Sequence, residues 1–385
     1  MRGKTLRDAD KLLSLIFIAL CLMLWFVPTG YEARVDNDAV RCKAEVLDTD
    51  DHDLQRLGMV LAGEQGVTMR VLDGPFEGSI LRGVNPLLGQ MDRDKVFRPG
   101  DSALVVLTLN QDGSIRYVNP QEHYRLGLEL LLLGMFAVLL LAFGGWTGAK
   151  ALLSFAFAAL MIWKVLVPLL LAGVDPVPLS LGVTALLCGA IIFLVAGITR
   201  KGLTAFLGAF LGVLASCVLA EVFTSAFHLH GAILPFAETL LYSGYAHLDL
   251  TAIFISAVFL ASSGAVMDLA MDVAASMAEV VDKKPGIGRR EAFVSGVRVG
   301  RAVVGTMTTT LLLAYSGGYI TLLMAFMAQG VPLANTFNLI YVAAEVLKTL
   351  VGSFGLVLVA PFTAAAGALL LAGHGGGQSE GSASD

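Results

Sequence analysis

Near residue 125 the chain changes its pattern of polar and apolar positions. Before that point, polar residues of both charges surround short β-like runs, such as Val67-Thr-Met-Arg-Val-Leu72 and Ala103-Leu-Val-Val-Leu-Thr-Leu109. Turn signals separate them: Asp73-Gly-Pro75, Arg98-Pro-Gly-Asp101 and Asp112-Gly113. The helical period is absent, and roughly five or six strands in residues 31–124 predict a small β-barrel or sandwich, OB-like or SH3-like. After residue 125 the chain is nearly all apolar runs. A bilayer crossing needs about 20 such residues. Residues 126–143, 149–172, 179–198, 203–227, 250–273, 302–323 and 346–371 meet that requirement. With the apolar run 12–27 they predict a polytopic α-helical membrane protein of about eight transmembrane helices, the β-rich domain inserted after the first. Between Tyr315 and Lys348 two readings stand. Ser316-Gly-Gly318 either breaks one long helix or turns a hairpin, and the hairpin adds a ninth span.

Composition agrees. The 385 residues are 56% hydrophobic and 15% charged, with mean hydropathy +0.76, whereas a soluble domain carries about 25% charged residues. The expected organisation is a membrane anchor at 1–30, an extracytoplasmic β-rich domain at 31–124, a helical bundle at 125–372 and a disordered, Gly/Ser-rich tail at 373–385. The N-terminus has the basic start and apolar run of a signal peptide. The Trp-Phe-Val-Pro-Thr-Gly-Tyr that follows is a poor cleavage site, so an uncleaved anchor is expected. Cys21, Cys188 and Cys217 lie in apolar runs and Cys42 stands alone, with no disulfide framework or metal-type spacing. The β-rich segment lacks a basic excess, which argues against a nucleic-acid partner.

The distribution of charge sets an orientation. With the N-terminus in the cytoplasm, the inside connections hold Lys150, Arg200, Lys201, Lys283, Lys284, Arg289, Arg290, Arg298 and Arg301. The short outside connections 173–178 and 228–248 hold no Lys or Arg. The expected location is the cytoplasmic (inner) membrane of a bacterium, with residues 31–124 outside and the basic stretch 280–301 inside.

Against this background the ionisable residues within spans are the candidate chemistry. Asp268 and Asp272 are four apart in an apolar run, so on a helix they share one face. A charge at the bilayer centre costs about 2.5–3.5 kcal/mol or more unless paired, hydrated or protonated. Ser276 and Glu279 continue the stripe. The bland alternative is that both aspartates are solvated at the interface or pair with Arg298 and Arg301. The second group is Gly305-Thr-Met-Thr-Thr-Thr310. Its hydroxyls, Thr306, Thr308, Thr309 and Thr310, either bond to carbonyls one turn back or face the carboxylates. Lys164, Glu221, Glu345 and Lys348 are isolated charges in spans, of which Glu345 and Lys348 are spaced to pair locally and Lys164 to snorkel outward. His228, His230 and His247 read as loop residues, not as metal ligands. Glycines such as Gly208, Gly212, Gly300 and Gly305 read as helix-packing positions. There is no P-loop, no His-Glu-x-x-His and no Gly-x-Ser-x-Gly, so neither an enzyme nor an ATP-driven pump is expected, and no cofactor.

The membrane half resembles the YibE/F family of bacterial membrane proteins. The resemblance is carried by Gly264-Ala-Val-Met-Asp268-Leu-Ala-Met271, Val299-Gly-Arg301, Gly305-Thr-Met-Thr-Thr-Thr-Leu-Leu-Leu-Ala-Tyr315 and Gly355-Leu-Val-Leu-Val-Ala-Pro361-Phe-Thr363. It extends over roughly residues 30–372 and implies the layout of anchor, outside β-rich segment and bundle. The chain departs from the family pattern at Ala302, where an acidic residue is usual, and at Thr309, where Asn is frequent. A more distant similarity is to one half of the RND superfamily, including SecD/SecF, where carboxylates in the corresponding region take part in proton coupling. A homo-oligomer or a paired membrane subunit is the partner this similarity implies, besides the lipid bilayer. The expected function is a proton- or cation-coupled transporter or transport-associated subunit. Asp268 and Asp272 would titrate, with Arg298, Arg301 and Glu279 as charge partners and the threonines along the path. The alternative is a scaffold or assembly factor that works through the β domain.

Overall fold

The computed structural model describes residues 2–34 and 39–372. The tail predicted to be disordered lies outside the described residues. The chain divides into two compact units, Gly30–Ala142 and Met1–Thr29 with Phe143–Asp385.

The first unit holds five strands: β1 (Ala39–Leu57), β2 (Val60–Val71), β3 (Ile80–Leu88), β4 (Ser102–Leu109) and β5 (Ile115–His123). They form one antiparallel sheet in the order β3-β2-β1-β4-β5. Strand β1 pairs with β4 through Ala39–Glu45 and with β2 from Ala44 to Leu57. Two irregularities, at Val46/Asp48 and Asp50/Asp53, bend it within its pairing with β2. The sheet curls until its ends nearly meet: a Cβ on Gly83 of β3 would stand 2.7 Å from the Val118 carbonyl oxygen of β5. The inside follows the strand period, with Cys42, Ala44 and Val46, then Val67, Met69 and Val71, then Ala103, Val105 and Leu107 all buried. Phe97 joins them from the β3–β4 connection. Its backbone is held by buried Gln65, whose Oε1 accepts from Phe97 N at 3.0 Å and whose Nε2 donates to Phe97 O at 3.0 Å. Asn85 donates to the same Gln65 oxygen and to Lys95 O. The side chains thus replace sheet bonds that this connection lacks. Gln65→Leu leaves the Phe97 amide and carbonyl unpaired and should lower the unit's stability by about 1–3 kcal/mol. Hydrogen exchange at Phe97 should rise, and unchanged protection there would contradict this role.

The helices are α1 (Arg2–Phe26), α2 (Leu126–Met161), α3 (Val167–Leu171), α4 (Pro176–Ala196), α5 (Arg200–Ala226), α6 (Ala237–Tyr242), α7 (Leu250–Lys283), α8 (Arg289–Ser316), α9 (Ile320–Ala328), α10 (Leu333–Asn338) and α11 (Ile340–Leu370). Among the described residues five are long and apolar enough to cross a membrane, or six if the bent pair α8 and α9 is one span. The chain is therefore an integral membrane protein. Starts are set by local chemistry. Asp175 accepts from Val177 N before α4, Thr199 from Gly202 N before α5, and Asp249 from Thr251 N and Ala252 N before α7.

The first two predicted spans of the bundle are two helical segments separated at Gly145, where the backbone is not helical (φ 51°, ψ −125°), and the second contains a π-helical turn at Ile162–Leu166. One boundary differs from the expectation. The stretch 280–301 is helical except at 284–288, because Arg289–Arg301 continues α8 with Ala292, Gly296 and Gly300 buried. Ser316-Gly-Gly318 breaks a helix and does not turn a hairpin: α8 and α9 meet at 66°, and α9 is only 9 residues long.

At the centre of the bundle, α11 packs against α5, α7 and α8, and α7 also packs against α4 and α5. Glycine makes these crossings close. A Cβ on Gly208 would overlap Thr363 Oγ1, one on Gly355 would overlap Ser216 Oγ, and one on Gly300 would stand 2.5 Å from Ala360 Cβ. Gly212 faces Val266 and Val359, and Gly296 faces Met277 and Ala364. A lesser cluster places α1 on α2 and α4, with Phe17 edge-on to Phe157 at 5.1 Å between centroids. Overpacking such a contact costs about 1–3 kcal/mol or more. Gly300→Leu should therefore lower the thermal midpoint of the detergent-purified chain far more than Gly264→Leu, which meets open space. Equal effects would contradict the assignment.

Candidate functional site

Between Ala261 and Glu279 the residues of α7 left uncovered by the rest of the chain are Ala261, Gly264, Asp268, Asp272, Ala275 and Glu279. Spaced by three and four, they make a single stripe. The opposite side, Val266, Leu269, Ala270, Val273 and Met277, is buried against the bundle. The rotation follows from hydrophobicity, since packing the apolar side inward turns both carboxylates outward.

Helix α8 is built the same way. Gly296 and Gly300 point into the bundle, so Arg298, Arg301, Gly305, Thr306, Thr309 and Thr310 are left uncovered. Thr308 is half-buried. The structure therefore leaves Asp268 and Asp272 uncovered on α7 and the arginines and most of the threonines uncovered on α8, two helices in contact. Among the described residues no ion pair joins Asp268 or Asp272 to Arg298 or Arg301. Glu279 pairs with Lys283, one turn along its own helix, at 2.7 Å, and not with the arginines.

The threonine hydroxyls donate to carbonyls one turn back. Thr306 bonds to Val303 O at 2.9 Å, Thr308 to Val304 O at 3.0 Å, Thr309 to Gly305 O at 3.2 Å and Thr310 to Thr306 O at 3.0 Å. Each proton is thereby committed within the helix, and the oxygens keep acceptor lone pairs for a cation or a proton donor.

Three of the four isolated charges have local partners, whereas Glu221 is exposed near the C-terminal end of α5. Lys164 lies in the π-helical turn, half-buried, and donates to Val27 O at 2.9 Å, just past the end of α1. A cation there complements the helix C-terminus. Lys150, expected in a connection, is buried within α2. Glu345 and Lys348 pair at 2.7 Å, and the Lys348 ammonium also lies over Phe254, 5.7 Å from the ring centroid. The pair borders a cavity of about 130 Å³ at the α8–α9 break, lined also by Gly318, Tyr319 and Tyr341. Sequence reading separated the Gly-Gly break from the Glu-x-x-Lys pair. Their proximity depends on the 66° bend, which no spacing rule reports.

Among the described residues no group of three or more His, Cys, Asp and Glu side chains is placed to hold a metal ion. All four cysteines are free. Burial, with Asp73 nearby, pushes the Cys42 thiol up from its ordinary value, away from reactivity.

Residues 132–373 match the sequence profile described as YibE/F-like protein. The chain belongs to the YibE/F family. No curated protein and no solved structure matches it significantly. The YibE/F match includes α7, α8 and α11 and so contains every residue of the charged faces. It starts at residue 132, so the strands lie outside it, although the resemblance was expected from residue 30. The more distant likeness to half of an RND transporter is not carried by this match. Within the YibE/F region, removing one partner of the Glu345–Lys348 pair should harm more than removing both. Lys348→Met should lower the thermal midpoint in detergent, and Glu345→Gln/Lys348→Met should recover most of the loss. A double variant as unstable as the single would show that the pair is not the relevant interaction.

Proposed function

We propose that this YibE/F protein is a proton- or cation-coupled transporter, or a transport-associated subunit, in which Asp268 and Asp272 are the groups that take up and release the coupling ion. The reading rests on one observation: two carboxylates within a span, on one stripe, with no charge partner among the described residues. A carboxylate held in a fixed ion pair cannot exchange a cation, so an aspartate that carries the coupling ion must be able to leave any charge partner as the ion arrives. The threonine oxygens of α8 supply neutral acceptors, and Arg298 and Arg301 supply positive charge that favours ion release.

The finer architecture is part of the same proposal. The break at Gly145 divides Leu126–Leu171 into two helical segments of about 28 and 39 Å at 1.5 Å per residue. Each is close to or above the hydrocarbon thickness of a bilayer, about 30 Å, which supports two spans. With α1 and the bent pair α8 and α9, the chain reaches about eight crossings. The positive-inside pattern orients α1 from the cytoplasm and the strands outside, in the inner membrane of a bacterium. The strand order, with β1 shared between β2 and β4 and with β3 approaching β5, supports an OB-type barrel. We assign no catalytic or cofactor chemistry.

The test is ion flux in proteoliposomes, with a growth phenotype of the deletion strain as the cellular readout. Asp268→Asn should lower flux and complementation about tenfold or more, and Asp268→Asn/Asp272→Asn should abolish both. Full activity of both single variants and the double variant would remove the proposal. If deletion of residues 39–123 alone abolished complementation while the carboxylate variants stayed active, the scaffold reading would replace it.

A further inference from the structure

A helix face left uncovered by its own chain in a bilayer meets either lipid or another protein. On α11 and along the middle of α5 the uncovered residues suit lipid, Leu350, Phe354 and Val357 on α11 and Leu207 and Leu211 on α5, with Glu221 near the end of α5 as the exception. The α7–α8 face instead carries two carboxylates and two guanidinium groups, each of which costs several kcal/mol or more against hydrocarbon, about 2.5–3.5 at the lowest. The glycines divide in the same way. Those of α5, α11 and the first half of α8 have atoms of the protein within 4 Å of an added Cβ, whereas Gly264 on α7 and Gly305 on α8 have nothing within 4 Å. In these four core helices the open glycines therefore lie on the charged face.

We propose that this face is the contact between two copies of the chain, related by a two-fold axis normal to the membrane. The occupant follows from self-complementarity. Such an axis preserves depth, so an acidic stripe can meet a basic stripe only if both lie at the same level. Helices α7 and α8 are joined by the short connection 284–288 and pack against each other, so their depths can be counted from that connection. Asp272 stands about 17 Å before the end of α7, and Arg301 about 18 Å after the start of α8, at 1.5 Å per residue. Asp268 and Gly305 come at about 22 and 24 Å by the same measure. The two-fold therefore sets Asp272 of each copy level with Arg301 of the other, twice, and Asp268 level with the open Gly305, where backbones can approach closely. Arg298 lies one turn nearer the cytoplasmic connection. The inference stands on the membrane embedding and the charge pattern, and it goes beyond the transport reading without depending on it.

The experiment uses the full chain in lipid nanodiscs, with copies per particle counted by single-molecule photobleaching and fold checked by helical circular dichroism. Wild type should show two copies. Asp272→Arg and Arg301→Asp, each alone, place like charges opposite each other and should lower the two-copy fraction about tenfold. Co-expressed, these two variants restore both opposite-charge pairs and should assemble into mixed particles at the wild-type fraction. If a charge variant fails to fold, Gly264→Leu probes the same face without changing charge: its monomer should fold and its two-copy fraction should fall. Wild type counted as one copy overturns the proposal. So do single variants that pair as wild type does, or folded single variants that fail to combine. These readouts require no ion flux, so loss of the transport reading would leave them unchanged.

Discussion

The close approach of α11 to α5 and α8 is the contact on which the rest of the bundle depends. Lipid is as apolar as the helices, so burial of leucine gives little drive for association, and van der Waals contact between small surfaces must supply it. Gly208 against Thr363, Gly355 against Ser216 and Gly300 against Ala360 leave no room for a side chain. These contacts also fix rotation. Once Gly296 and Gly300 are turned into the bundle, Arg298 and Arg301 must point out of it. The same holds on α7, where burial of Val266, Ala270, Val273 and Met277 brings Asp268 and Asp272 to the outside. The charged face is thus a consequence of packing on the opposite side of two helices.

Much of this was legible in the sequence. The switch from β-like runs to long apolar runs separated strands from helices, and the four-residue spacing of Asp268 and Asp272 placed them on one stripe. The glycine pattern named Gly208, Gly212 and Gly300 as packing positions. Gly305, read in the same way, has open space beside it. One sequence shows that a glycine permits approach, but not whether a neighbour uses it. The helical extension of α8 back to Arg289 was hidden because that segment is rich in charge, and hydropathy alone reads it as a connection. Its small residues Ala292, Gly296 and Gly300, spaced by four, are the signal that identifies it as a buried helix face.

The strands follow a separate logic. Their inside is small and apolar and follows the period of two, and closure requires Gly83 where β3 and β5 approach. Gln65 and Asn85 are the exception to the apolar inside, and both bond to the backbone of the β3–β4 connection. This unit lies outside the YibE/F match, whereas the charged helices lie within it. The chemistry proposed for the chain therefore belongs to the helical region that defines the family.

The central claim is that the α7–α8 face carrying Asp268, Asp272, Arg298 and Arg301 does not meet lipid in the native protein. Oxygen accessibility of nitroxide spin labels in a bilayer measures this most directly. Labels at Gly264 and Gly305 should be shielded from dissolved oxygen, whereas labels at Phe354 and Val357 on α11 should be as accessible as a lipid-facing helix. Equal, high oxygen accessibility at all four positions would contradict the account.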